Sequence, residues 1–186
     1  MKGSVWMSIV VLHGSTRDGG NTEQLAELVL KGIPHENILL RDKNILPIHD
    51  LRHDEGGFCP VEDDYDVVIQ KVLEHDVLIF ATPVYWYGMT GILKNFIDRW
   101  SQSLRDERYD FKGLIAQKKA YVIAVGGDQP RIKALPLIQQ FKYTFDFVNL
   151  PFQGYIIGKA SKPGDIVNDT RAAQEAQWLN QVLRNP

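Results

Sequence analysis

Ala81-Thr-Pro-Val-Tyr-Trp-Tyr-Gly-Met-Thr-Gly-Ile-Leu-Lys-Asn-Phe-Ile-Asp-Arg-Trp100 is the stretch around which the rest of the chain is organised. An apolar run, Val77-Leu78-Ile79-Phe80, leads into it and stops at Thr82-Pro83. Proline fixes its own φ and biases Thr82 away from helix, so a strand here must end in a shaped loop. Tyr85, Trp86 and Tyr87 then precede Gly88 and Gly91, and apolar residues recur at helical spacing beyond them. Strand, aromatic loop and helix in that order are how an open α/β sheet presents a binding platform at a strand's carboxyl end. The glycines allow backbone to approach a ligand closely. Read alone, the same aromatics fit equally well as a plug packed on the sheet.

A second stretch favours the binding reading. Ser8-Ile9-Val10-Val11-Leu12 runs into His13-Gly14-Ser15-Thr16-Arg17-Asp18-Gly19-Gly20-Asn21-Thr22, and a helical pattern opens at Glu23. Such a turn at a helix N-terminus is an anion site, because free backbone N–H groups and the positive dipole end face the ligand. Ser15, Thr16 and Thr22 add hydroxyls, Asn21 an amide and Arg17 a guanidinium suited to phosphate. The Walker pattern is excluded, since it needs a lysine after its last glycine. The three-glycine dinucleotide fingerprint is excluded too, because Ser15 and Asn21 stand where glycines are required. A plain turn followed by a helix capped by Asn21, with Gln24 three residues on, would use fewer of these donors.

Gly14-Ser15-Thr16-Arg17-Asp18-Gly19-Gly20-Asn21-Thr22, Pro83-Val84-Tyr85-Trp86 and Leu93-Lys94-Asn95-Phe96-Ile97-Asp98-Arg99-Trp100, taken in order, resemble the NADPH-dependent FMN reductases. That family lies in the flavodoxin-like superfamily with quinone reductases and iron–sulfur flavoproteins. The likeness covers nearly the whole chain, because the strand spacing and Gly126-Gly127-Asp128 also fit. It implies an FMN-binding oxidoreductase that is commonly a dimer or tetramer, and it leaves the substrate open. In the iron–sulfur members the region around Cys59 carries several cysteines. Cys59 is the sole cysteine here, and a cluster needs several thiolate ligands, so electron transfer is expected to involve the flavin alone.

Composition narrows the classes. A chain of 186 residues is expected to form one domain, 1–186, with a core that needs no staples. A net charge of −2 and the lack of a basic run argue against nucleic acid, and no strongly acidic surface marks a dedicated electron carrier. One cysteine, no apparent secretory leader and no membrane-length apolar run give a cytoplasmic expectation. His49, His53 and Cys59 match no zinc spacing, so no metal is expected.

The chain in order reads as an α/β protein of three layers, helices covering both faces of a five-stranded parallel sheet of flavodoxin-like order 2-1-3-4-5. Strands are expected at 5–12, 38–40, 77–81, 120–125 and 152–157, and helices at 22–31, 64–74, 89–100, 132–148 and 169–183. Residues 41–64 form a long polar connection. The 89–100 helix is expected to turn Ile92, Leu93, Phe96, Ile97 and Trp100 to the core or to a subunit interface, with Asp98 and Arg99 ion-paired on its surface. In the 2-1-3-4-5 order the first and third strands are neighbours at the switch point, so both motif loops open into one crevice.

The resulting expectation is an NAD(P)H-dependent oxidoreductase passing hydride through FMN to a small acceptor, a quinone or a flavin. Ser15, Thr16, Arg17, Gly20, Asn21 and Thr22 would hold the phosphate. Pro83, Val84, Tyr85, Trp86, Tyr87 and Gly88 would carry the ring, with Gly126, Gly127 and Asp128 at its pyrimidine edge. The cofactor supplies the chemistry, so no catalytic side chain is nominated. A non-enzymatic electron-transfer flavoprotein and a regulatory module on the same scaffold are the rivals. NADPH and NADH are not distinguished, because no separate dinucleotide-binding domain is apparent.

Overall fold

Five parallel strands, Ile9–His13 (β1), Glu36–Leu39 (β2), Val77–Pro83 (β3), Lys119–Gly126 (β4) and Phe152–Lys159 (β5), make one sheet in the order β2-β1-β3-β4-β5. This is the expected order, seen in a computed structural model that describes residues 7–184. Val5 and Trp6 of the expected first strand lie outside the described residues. β1 pairs with β3 from Ile9 opposite Val77 to His13 opposite Ala81, which sets the two motif loops side by side.

β1, β3 and β4 are buried on both faces, which is why they read as unbroken apolar runs. Alternation along β3 divides the core. Leu78 and Phe80 face one side, where they meet helices Tyr65–Glu74 (α2), Gly91–Asp98 (α3) and Leu135–Phe147 (α7). Phe80 lies at the centre of an aromatic cluster, with ring centroids 5.0 Å from Phe145 and 5.8 Å from Phe141. Val77 and Ile79 face the other side, against Asn21–Val29 (α1) and Thr170–Arg184 (α8). Full burial of each large side chain contributes about 1.5–3 kcal/mol.

Several local expectations are corrected. α1 begins at Asn21 with Gly20 as its extended N-cap residue, and no side chain caps it. The 89–100 segment is two helices, α3 and the short Trp100–Ser103 (α4), and its stripe of Leu93, Phe96, Ile97 and Trp100 is core. Arg99 is no surface residue. Its side chain is 2% exposed and pairs with Asp63, 1% exposed, at 2.5 Å. A short helix, Phe111–Ile115 (α5), occupies part of the charged connection after α4, and Pro130–Lys133 (α6) precedes α7.

Candidate functional site

The two motif loops are joined before any ligand is considered. Gly14 N–H donates to the Ala81 carbonyl at 2.8 Å, and Thr90 Oγ1 donates to the Gly14 carbonyl at 2.7 Å while capping α3. A Cβ on Gly14 would lie 3.0 Å from Leu93 Cβ and 3.1 Å from Thr90 Oγ1, so a side chain here would force those neighbours back by a few tenths of an ångström.

Past the carboxyl ends of β1, β3 and β4 lies a cleft of about 340 Å³. Ser15, Arg17, Gly20, Asn21 and Thr22 line it from the first loop, Pro83, Val84 and Tyr85 from the second, and Gly126 and Gly127 from the third. A smaller pocket of about 180 Å³ adjoins it, sharing Val84, Gly126 and Gly127 and adding Trp86, Tyr87 and Asp128. Thirteen of the fifteen residues expected at the site therefore line one of these two spaces. Thr16 is exposed and lines neither space, and Gly88 closes the aromatic turn.

The first loop is donor-rich by construction. A helix start leaves its first N–H groups without intrahelical partners, and Gly20, Asn21 and Thr22 at the start of α1 line the cleft. Ser15 Oγ accepts from Arg17 N–H and donates to the Arg17 carbonyl, both at 3.1 Å, and so rounds the loop. Asn21 differs from expectation in one respect. Its Nδ2 donates to the Lys162 carbonyl at 2.8 Å and its Oδ1 accepts from Ile166 N–H at 3.3 Å. The carboxamide therefore fastens α1 to the loop after β5, which leaves its second Nδ2 proton and the Asn21 backbone N–H for an anion.

The second loop is a tight two-residue turn. Tyr85 and Gly88 exchange N–H···O bonds of 3.0 and 2.9 Å, while Trp86 and Tyr87 sit at φ of 48° and 64°. Left-handed conformation in bulky residues costs about 1–2 kcal/mol each and concentrates at ligand clamps. Tyr87 is held there by its hydroxyl, which donates to Asp128 Oδ2 at 3.0 Å, and by Lys133, 5.9 Å from the ring centroid. Lys133 also donates to Asp128 at 2.6 Å. Hydrogen bonds from Lys133 and Tyr87 hold the Asp128 carboxyl below its ordinary range. Trp86 is 97% exposed and meets nothing that would make it a plug.

Ala160, Ser161 and Val125 also line the cleft, and Pro130, Lys133 and Ala134 the smaller pocket; sequence reasoning named none of them. Only the adjacency of β5 to β4 brings Ala160 and Ser161 there. The steric signal was Gly127, whose added Cβ would stand 2.5 Å from Ser161 Oγ. His13, beneath the first loop, is buried; its Nε2 bonds Asn37 Oδ1 at 2.7 Å and its Nδ1 is unpartnered. Burial pushes its pKa below the ordinary histidine value. Among the described residues no three His, Cys, Asp or Glu side chains are grouped to hold a metal, and no helix is long and apolar enough to cross a membrane.

Fold and cleft together define a flavodoxin-like protein of the mononucleotide-binding class. The family model for NADPH-dependent FMN reductase matches residues 7–162, and the chain belongs to that family. It is thus an oxidoreductase that uses FMN and NAD(P)H. It is 55% identical over 174 residues to the NAD(P)H-dependent FMN-containing oxidoreductase YwqN of Bacillus subtilis, covering 93% of this chain and 96% of that one. An iron–sulfur flavoprotein of Methanocaldococcus jannaschii, MJ1083, is 32% identical over 95% of both chains. Among solved structures, the Trp repressor binding protein from Bacillus subtilis superposes with a TM-score of 0.78 at 48% identity, over 92% of this chain and 96% of that one.

Proposed function

We propose that FMN lies along the cleft with its phosphate at the start of α1 and its ring against the Pro83–Gly88 loop, Gly126 and Gly127, and that a nicotinamide reduces it for delivery to a small acceptor, a quinone or a flavin. The observation that carries this is the joining of both loops in one cleft whose lining contains no acidic side chain. The residues present fit the group. Arg17 and Thr22 offer side-chain donors to a phosphate, Ser15 rounds the loop that presents them, and apolar Pro83, Val84 and Val125 together with glycine backbone suit a flat ring.

When bound, FMN supplies hydride acceptance and donation. The chain's part is to bind, orient and screen. Thr22, Arg17 and the α1 amides fix the phosphate end, in a loop whose course Ser15 sets. The 85–88 turn and the Tyr87–Asp128–Lys133 bridge set the width of the ring end. Trp86, presented free on a strained turn, supports the reading that it stacks on whichever planar partner arrives.

The homodimer or homotetramer expected of the family is assigned to the α6–α7 side. Ile132, Leu135, Tyr143 and Phe147 are exposed there, beside a groove that also includes Ile97 and Leu104. Charged substitution of Tyr143 and Phe147 should give a monomer in sedimentation. We place the protein in the cytoplasm, in keeping with its single free cysteine.

The deciding experiment is an anaerobic NADPH titration of FMN-loaded protein, followed by flavin absorbance. Stoichiometric bleaching within the turnover time is the expected result. A bound flavin that stays oxidised with both NADPH and NADH would overturn the reductase reading in favour of a carrier.

A further inference from the structure

We infer that Arg41 is a positioning residue for the anion loop, neutralising Glu23 and drawing the Arg17 carbonyl toward a group outside the cleft so that an incoming phosphate meets donors only. The inference rests on the reading that the FMN phosphate sits at the start of α1.

Arg41 lies just beyond β2, in the 3-10 turn Leu40–Asp42. β2 pairs with β1 up to Leu39 opposite His13, so the turn stands next to the loop that leaves β1. The Arg41 side chain, only 14% exposed, turns back onto that loop. Nη1 donates to the Glu23 carboxylate and, at 3.3 Å, to the Arg17 carbonyl, while Nη2 donates to Asp18 Oδ1 at 2.7 Å. The other Glu23 oxygen accepts from Gly19 N–H at 3.1 Å. Gly19, Glu23, Arg41 and Arg17 are thus tied in sequence around the outside of the loop, and neither Arg41 nor Glu23 lines the cleft.

Two physical consequences follow. Glu23 is a nearly buried carboxylate in the first turn of α1. A carboxylate there suits the helix dipole but repels a phosphate bound at the same terminus. Arg41 cancels that charge where solvent screens it little. The Arg17 carbonyl is a second acceptor in the loop. Fixed by Arg41 and by Ser15 Oγ, it is not available to face the anion.

The test compares FMN with riboflavin, which lacks the phosphate, by fluorescence titration of the flavin-stripped full-length protein. Arg41→Gln should weaken FMN on the order of 30-fold, because it leaves Glu23 and Asp18 uncompensated beside the phosphate. Riboflavin should change by less than about threefold, since its ring contacts lie elsewhere. Adding Glu23→Gln to Arg41→Gln should restore most of the loss, and Arg41→Lys should fall between. An unchanged FMN-over-riboflavin preference in Arg41→Gln, or an equal loss for both flavins, would overturn the inference. Wild-type protein that binds riboflavin as tightly as FMN would instead remove the phosphate reading beneath it. Should Arg41→Gln fold poorly, Arg41→Lys carries the same comparison.

Discussion

Replacing Asp63 with asparagine is expected to lower the free energy of unfolding by about 3 kcal/mol, at the bottom of the range for breaking a buried ion pair. Both side chains of the Asp63–Arg99 pair are almost fully excluded from water, so the strand of charge left on Arg99 has no solvent to relax into. Three contacts moderate the loss. Arg99 Nε still donates to Gln102 Oε1 at 2.9 Å, Nη1 to the Leu46 carbonyl at 3.2 Å, and the guanidinium stays 4.6 Å from the Tyr65 ring centroid. Asparagine also keeps one oxygen, which serves one of the two backbone N–H groups that Asp63 accepts, Leu46 on Oδ2 and Tyr65 on Oδ1, each at 3.0 Å. Alanine serves neither, and with at least about 1 kcal/mol for the further donor left unsatisfied the loss should reach about 4 kcal/mol. Asp63→Leu combined with Arg99→Met removes both charges and should be less damaging than Asp63→Ala. Urea unfolding followed by circular dichroism measures all four proteins. A loss below about 1 kcal/mol in Asp63→Asn would mean that the pair behaves as a solvated one and would refute the argument.

Thr22→Glu should weaken FMN at least about 100-fold by like-charge repulsion at the start of α1; undiminished FMN affinity in equilibrium titration would sink the phosphate assignment. Gly127→Ala brings a Cβ against Ser161 Oγ and should weaken FMN about fivefold, with Ser161→Ala in the same chain restoring it, because the next Ser161 atom stands 3.4 Å away. His13 is expected to tie stability to pH. Burial holds its pKa below 6.5, so the unfolded chain binds more protons as the pH falls through that value. The contribution is complete above pH 6.5 and declines below it until the lower folded value is passed. His13→Gln should therefore flatten the change in urea midpoint between pH 7.5 and 5.5, and an unaltered slope would show that other groups govern it.

Much of this protein was legible in the residues alone, for local reasons. Central parallel strands are buried on both faces, so β1, β3 and β4 appear as apolar runs. Thr82-Pro83 and the three aromatics mark a shaped loop, and Gly14 through Thr22 mark a donor-rich helix start, because each uses backbone chemistry that acts over a few positions. What tertiary structure alone decided are contacts across long separations. Asn21 fastens to Lys162, 141 residues away, which ties its carboxamide to the loop after β5. Arg99 reads as a helix-surface cation until Asp63, 36 residues earlier, is folded beneath it. Ala160 and Ser161 enter the cleft only because β5 lies beside β4, and Arg41 reaches the anion loop only because β2 lies beside β1. Periodicity and turn chemistry report which face a residue shows and how its own backbone bends. They carry no information on which distant charge or carbonyl will meet it, because that depends on strand order and loop course.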